Sequence, residues 1–150
     1  MKVLRITAVL LLAVLLLAGC REKEAPAPDM QSLYQKMTEA AGQTEMITIT
    51  PEKAELLLGI APDDCLQCVT ALCSDSLLAD ELWLLEGKDA AAADRLEALA
   101  KARVEQKGTE MKNYLPDQYQ VVQKAKVIRN GRCVWLIISP MAEELAALVG

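Results

Sequence analysis

The dipeptide Asn130-Gly131, set between two runs rich in β-branched residues, constrains the fold of this chain more than any other feature. Asn-Gly supplies the positive-φ residues that a two-residue hairpin turn demands, so residues 124–138 are predicted to be two antiparallel strands. A type I′ turn on these two residues sets Val127 opposite Val134 and Ala125 opposite Leu136. That makes one apolar face. The other carries Ile128, Cys133, Trp135 and Ile137 beside Lys124 and Lys126. Sheet faces as apolar as these are covered in folded domains, and the economical cover for the second is the N-terminal or the C-terminal helix.

The helices are written in caps and stripes. Asp29 is an N-cap for a helix with Met30, Leu33, Tyr34, Met37 and Ala41 on one stripe and Gly42 as its stop. Residues 45–50 are short and β-rich, and Thr50-Pro51 then opens a brief helix that ends at Leu58-Gly59. Cys65–Cys73 and residues 80–86 read as strands around the turn Ser74-Asp75-Ser76. Gly87-Lys88-Asp89 opens the longest helix, with Leu96, Ala100, Val104, Met111 and Leu115 as its apolar stripe. Glu97 stands one turn before Lys101 on its wet side, and Gly108 kinks or ends it. Ser139-Pro140 caps a last short helix with Met141, Leu145 and Leu148 on one face. The predicted fold class is α+β: a four-stranded antiparallel sheet, in the order strand, strand, helix, strand, strand, packed on the long helix with short helices at both ends.

The first residues specify location. Lys2 and Arg5 precede an apolar run, and Leu17-Ala18-Gly19-Cys20 closes it with small residues before a cysteine. This resembles the bacterial lipoprotein signal, which implies removal of residues 1–19 and diacylglyceryl attachment at Cys20. The run falls short of the roughly 20 residues of a spanning helix. With about 0.8 kcal/mol per buried methylene, two acyl chains hold where one is marginal. Residues 20–28, ending in Ala-Pro-Ala-Pro, read as a stiff lipidated tether, and residues 29–150 as a single domain. The expected location is the extracytoplasmic face of the cell membrane.

Composition narrows the chemistry. Loss of residues 1–19 takes the formal charge from −5 to −7, and no Lys/Arg cluster remains to hold nucleic acid. Histidine is absent, which removes serine–histidine and cysteine–histidine catalysis and all histidine metal sites. Cys65, Cys68, Cys73 and Cys133 remain after lipidation of Cys20. They admit four readings: buried thiols in the core, a disulfide such as one between Cys133 and a neighbouring strand, a Cys65/Cys68 redox pair, or a four-thiolate zinc site. A redox pair of this spacing normally opens a helix, whereas in a regular strand residues three apart face opposite ways. Asp63-Asp64 lacks the alternating oxygen ligands of a calcium loop and reads as a solvated turn. Trp83 and Trp135 form a docking patch if they share the second sheet face, and core residues otherwise.

Four segments stand out beyond these elements: Asn113-Tyr114-Leu115-Pro116-Asp117-Gln118-Tyr119, Leu57-Leu58-Gly59-Ile60, Ala79-Asp80-Glu81-Leu82 and the Asn130-Gly131 hairpin leading to Ile137-Ile138-Ser139. In these segments the chain resembles a family of small bacterial lipoproteins known as domain of unknown function 4358. Similar proteins come mainly from Gram-positive anaerobes and have no assigned activity, so the resemblance implies a lipoprotein domain and transfers no catalytic residue. The segment 114–119 reads either as a binding loop or as a helix stop in which Pro116 restarts a turn. No catalytic set is complete and no metal or cofactor is expected. The expected function is a non-enzymatic binding or accessory lipoprotein of the cell envelope, its partner an envelope protein or a cell-wall polymer. The alternative is a redox or zinc protein built on Cys65, Cys68, Cys73 and Cys133. A solute-binding role suits the size poorly, because it generally needs two lobes around a cleft.

Overall fold

A computed structural model describes residues 26–42 and 45–149. The signal segment 1–19, Cys20 and the first part of the tether lie outside the described residues. In chain order the elements are α1 (Met30–Ala41), β1 (Met46–Ile49), α2 (Pro51–Leu58), a 3₁₀ turn (Pro62–Asp64), β2 (Cys65–Cys73), β3 (Glu81–Gly87), α3 (Ala90–Lys112), α4 (Pro116–Gln123), β4 (Lys126–Asn130), β5 (Cys133–Ile138) and α5 (Ala142–Ala146).

The fold is α+β on an antiparallel sheet, but the sheet has five strands in the order β1-β2-β3-β5-β4, where four were expected. The fifth is β1, whose Met46 and Ile49 pair with Cys73 and Thr70 at the edge of β2. A four-residue strand with Ile47 exposed has little periodicity of its own. The unpaired edge of the nine-residue β2 recruits it.

β3 and β5 lie in the middle and are buried along their whole lengths. On one face Trp83, Leu85, Val134, Leu136 and Ile138 meet Ala93, Leu96 and Ala100 of α3. On the other, Leu82, Leu84, Cys133, Trp135 and Ile137 meet Met30, Leu33 and Met37 of α1 and Ala142 and Leu145 of α5. Both terminal helices therefore share the cover of the second face. Full burial of side chains this size contributes about 1.5–3 kcal/mol each. The tether's described end joins this layer, for Ala27 packs against it and Gln67 donates to the Pro28 carbonyl at 3.1 Å.

The β4–β5 hairpin forms two residues away from its expected register. Val127 pairs with Leu136, and Asn130 with Cys133, leaving Gly131-Arg132 as the loop. Gly131 alone has positive φ, at 55°, among the hairpin residues. That matches a turn needing glycine first, type II′ in character, where type I′ needs two positive-φ residues. A shift of two preserves parity, so Val127, Val134 and Leu136 still share the α3 face.

α3 starts on the Asp89 cap, which accepts from Ala92 N at 2.7 Å, and Glu97 pairs with Lys101 at 2.5 Å. Gly108 lies inside it, and the helix ends at Lys112, leaving Leu115 as the residue before α4 rather than in the stripe. Its first turn presses on the end of β3. A Cβ added to Gly87 would stand 2.8 Å from Ala93 N and 2.9 Å from Ala93 Cβ, both on packed structure. Gly87→Ala is expected to cost about 1–3 kcal/mol in urea unfolding with an unchanged m-value.

Candidate functional site

The four cysteines are placed by β-sheet parity, and the sheet does not gather them. Cys73 ends β2 beside Met46 of β1, whereas Cys65 begins that strand opposite Gly87. Cys133 belongs to the α1–α5 face of β5, and β3 separates β5 from β2. A disulfide from Cys133 to β2 would have to cross two strand spacings, roughly 9.6 Å, well beyond disulfide reach. No group of three or more His, Cys, Asp or Glu suited to a metal ion occurs among the described residues.

Cys65 and Cys68 do meet. The pairing of β2 with β3 slips between Cys65 and Gln67, a β-bulge that leaves both thiols packed on the α3 side of the core. The expectation that residues three apart in this strand face opposite ways is therefore corrected, because the extra residue, Leu66, restores parity. Interaction with Cys65 holds the Cys68 thiol below the usual thiol range, and interaction with Cys68, with burial and the charge of Asp64, pushes Cys65 well above it. Asp64 itself is held below the usual carboxylate range by Arg95, which bonds both its oxygens, with Lys88 3.5 Å away.

At the opposite end of β3 is a buried charge cluster that the sequence reading missed. Glu81 is fully buried and its carboxylate receives Arg103 Nη2 at 3.0 Å, Lys107 Nζ at 3.0 Å and Trp83 Nε1 at 2.7 Å. Lys107 also donates to the Ala79 carbonyl at 2.7 Å. Two signals were available: a carboxylate inside the apolar run of β3, and a lysine in line with the apolar stripe of α3. Neighbouring Asp80 is buried, and that burial raises its carboxyl above the ordinary value despite Lys107 and Ser139.

Trp83 and Trp135 lie on opposite faces of the sheet, both buried, so they form no shared patch. The segment 113–119 acts as a helix stop and restart: Asn113 ends α3 and Pro116 is the first residue of α4. Gln118 accepts a hydrogen bond from Ala79 N at 2.9 Å, tying α4 to the loop before β3. Tyr119 packs near Gly108 of α3. Tyr114 serves none of this and is 83% exposed, beside Leu77 at 61% around an open hollow of about 210 Å³. Asp63 is exposed in the 3₁₀ turn.

Residues 39–139 match the family described as Domain of unknown function (DUF4358), and the chain belongs to that family. No curated protein and no solved structure matches it. Among the described residues no helix is long and apolar enough to cross a membrane.

Glu81→Ala would strand Arg103 and Lys107 in the core and is expected to cost about 3–5 kcal/mol by chemical denaturation. Because the folded-state pKa of Asp80 is raised, its contribution to stability is present at low pH. That contribution is lost as pH climbs from 3.8 through the folded value. The stability of the wild type relative to Asp80→Asn should fall over that interval in urea titrations.

Proposed function

We propose that this protein is a lipoprotein of the Gram-positive type, fixed through acylated Cys20 to the extracytoplasmic face of the cell membrane. Its domain acts there as a non-enzymatic holder for another envelope component, a protein or a cell-wall polymer. One observation carries the reading: the tether and the exposed part of the segment 113–119 lie at opposite poles. Pro26 and Pro28 sit against Glu86, Asn130 and Arg132, at the end of β3 and the β4–β5 turn. Tyr114 and Leu77 sit beyond the start of β3, where Gln118 meets Ala79.

α3 runs between the two poles and, at 23 residues, spans about 35 Å. A chain held by its lipid at the first pole would present Tyr114 away from the bilayer. Tyrosine is a preferred anchor in protein interfaces because it offers large, rigid area with a polar tip. The second sheet face is covered by α1 and α5 and offers no open apolar surface for a partner.

Palmitate labelling should mark the wild type and leave Cys20→Ala unmarked; equal labelling of the two would remove the anchor from the proposal. Tyr114→Ala and Leu77→Asp should lower recovery of membrane-crosslinked partner by about tenfold or more at unchanged melting temperature. Recovery equal to wild type would exclude this pole as the binding face.

A further inference from the structure

β2 enters the sheet with one residue too many. Cys65 stands opposite Gly87, Gln67 opposite Glu86 and Cys68 opposite Leu85, so the exposed Leu66 has no counterpart on β3. In a regular strand three residue steps separate Cα atoms by about 10 Å and turn their side chains to opposite faces. Here three steps of β2 are matched by the two steps of β3 from Gly87 to Leu85. The advance from Cys65 to Cys68 is thus roughly 6.6 Å along the sheet. Disulfides bridge Cα separations of about 4.4–6.8 Å, so the bulge brings the pair to the upper edge of bonding range. Parity is restored by the same slip, and both side chains lie on the α3 face of the sheet. Cys65 is paired with a glycine, so no neighbouring side chain on β3 crowds it at its own register. Neither cysteine is fully buried, and both are unbridged thiols in this structure.

We propose that Cys65 and Cys68 form a dithiol–disulfide couple, closing across the β-bulge by exchange with an external disulfide. The Cys68 sulphur, as thiolate, attacks one sulphur of the oxidant, forming a mixed disulfide and releasing the first thiolate. Cys65 gives its proton to solvent and attacks the Cys68 sulphur, breaking the mixed disulfide and expelling the second thiolate. Two electrons pass from the protein dithiol to the oxidant, which leaves as two thiols. The order follows the directions in which the two thiols are shifted: their mutual interaction holds Cys68 below the usual thiol range and, with burial, pushes Cys65 above it, so Cys68 is the better attacking group. The bond would lock the bulge from which Leu66 projects at 58% exposure. Cys73, at the far end of β2, and Cys133, on the other side of β3, lie outside this chemistry.

The test uses the full chain in detergent, reduced, freed of reductant and treated with dithiobis(nitrobenzoate). The peptide containing residues 65–68 should lose two hydrogen masses and carry no nitrothiobenzoate adduct, while Cys73 and Cys133 remain open to alkylation after unfolding or carry simple adducts. Cys65→Ser should stop at the mixed disulfide, leaving a stable adduct on Cys68. Stable adducts on both cysteines of the wild type would overturn the proposal, as would a bond mapped to Cys73 or Cys133, or thiols at 65 and 68 that stay unreacted in the folded protein. Should Cys65→Ser fail to fold, the wild-type peptide map decides alone. None of these outcomes involves the partner-binding pole, so the couple stands or falls independently of it.

Discussion

The domain depends on hiding both faces of its two central strands. β3 and β5 are buried from end to end, and a sheet that apolar on both sides is stable in water only between two helical layers. α3 supplies one layer and α1 with α5 the other, so the first and last helices of the domain are structural requirements of the same surface. The close approach of Ala93 to Gly87 follows from this, because α3 must lie down on the sheet directly after β3 ends.

That burial makes charge at the ends of β3 expensive unless it is matched, and both ends are. Glu81 is met from the α3 side by Arg103, Lys107 and Trp83, and Glu86 on the opposite face by Gln67 at 2.8 Å and Arg132 at 3.1 Å. The two clusters tie different things together. The first joins the sheet to α3 and, through Lys107, to the loop at Ala79, while the second lies where the tether arrives. The described domain thereby acquires two chemically distinct poles, one where the tether arrives and one around the turn between α3 and α4.

Much of the architecture was legible in local signals. Asp29 and Thr50 each cap the helix they were read to cap, the long helix opens after Gly87-Lys88-Asp89 as expected, and a hairpin at Asn130-Gly131 and the strand Cys65–Cys73 both form. Errors fell where a neighbour decides. β1 is a strand because β2 offers it an edge, and the hairpin settled two residues along because turn geometry, not composition, chooses which pair closes the loop. Of the candidate site residues, Cys20 belongs to a segment outside the described fold, and the four remaining cysteines are divided between two faces of the sheet.

By itself the sequence determined the class of fold, the sidedness of the hairpin strands and of the long helix, and the absence of histidine, because periodicity, caps and composition act over a few residues. Tertiary structure alone decided that Cys65 and Cys68 share a face, that Glu81 meets Lys107 across twenty-six positions, and that Tyr114 is left outside at the pole away from the tether. Each depends on the register between elements distant in the chain, and a slip of one residue reverses the side on which a group stands.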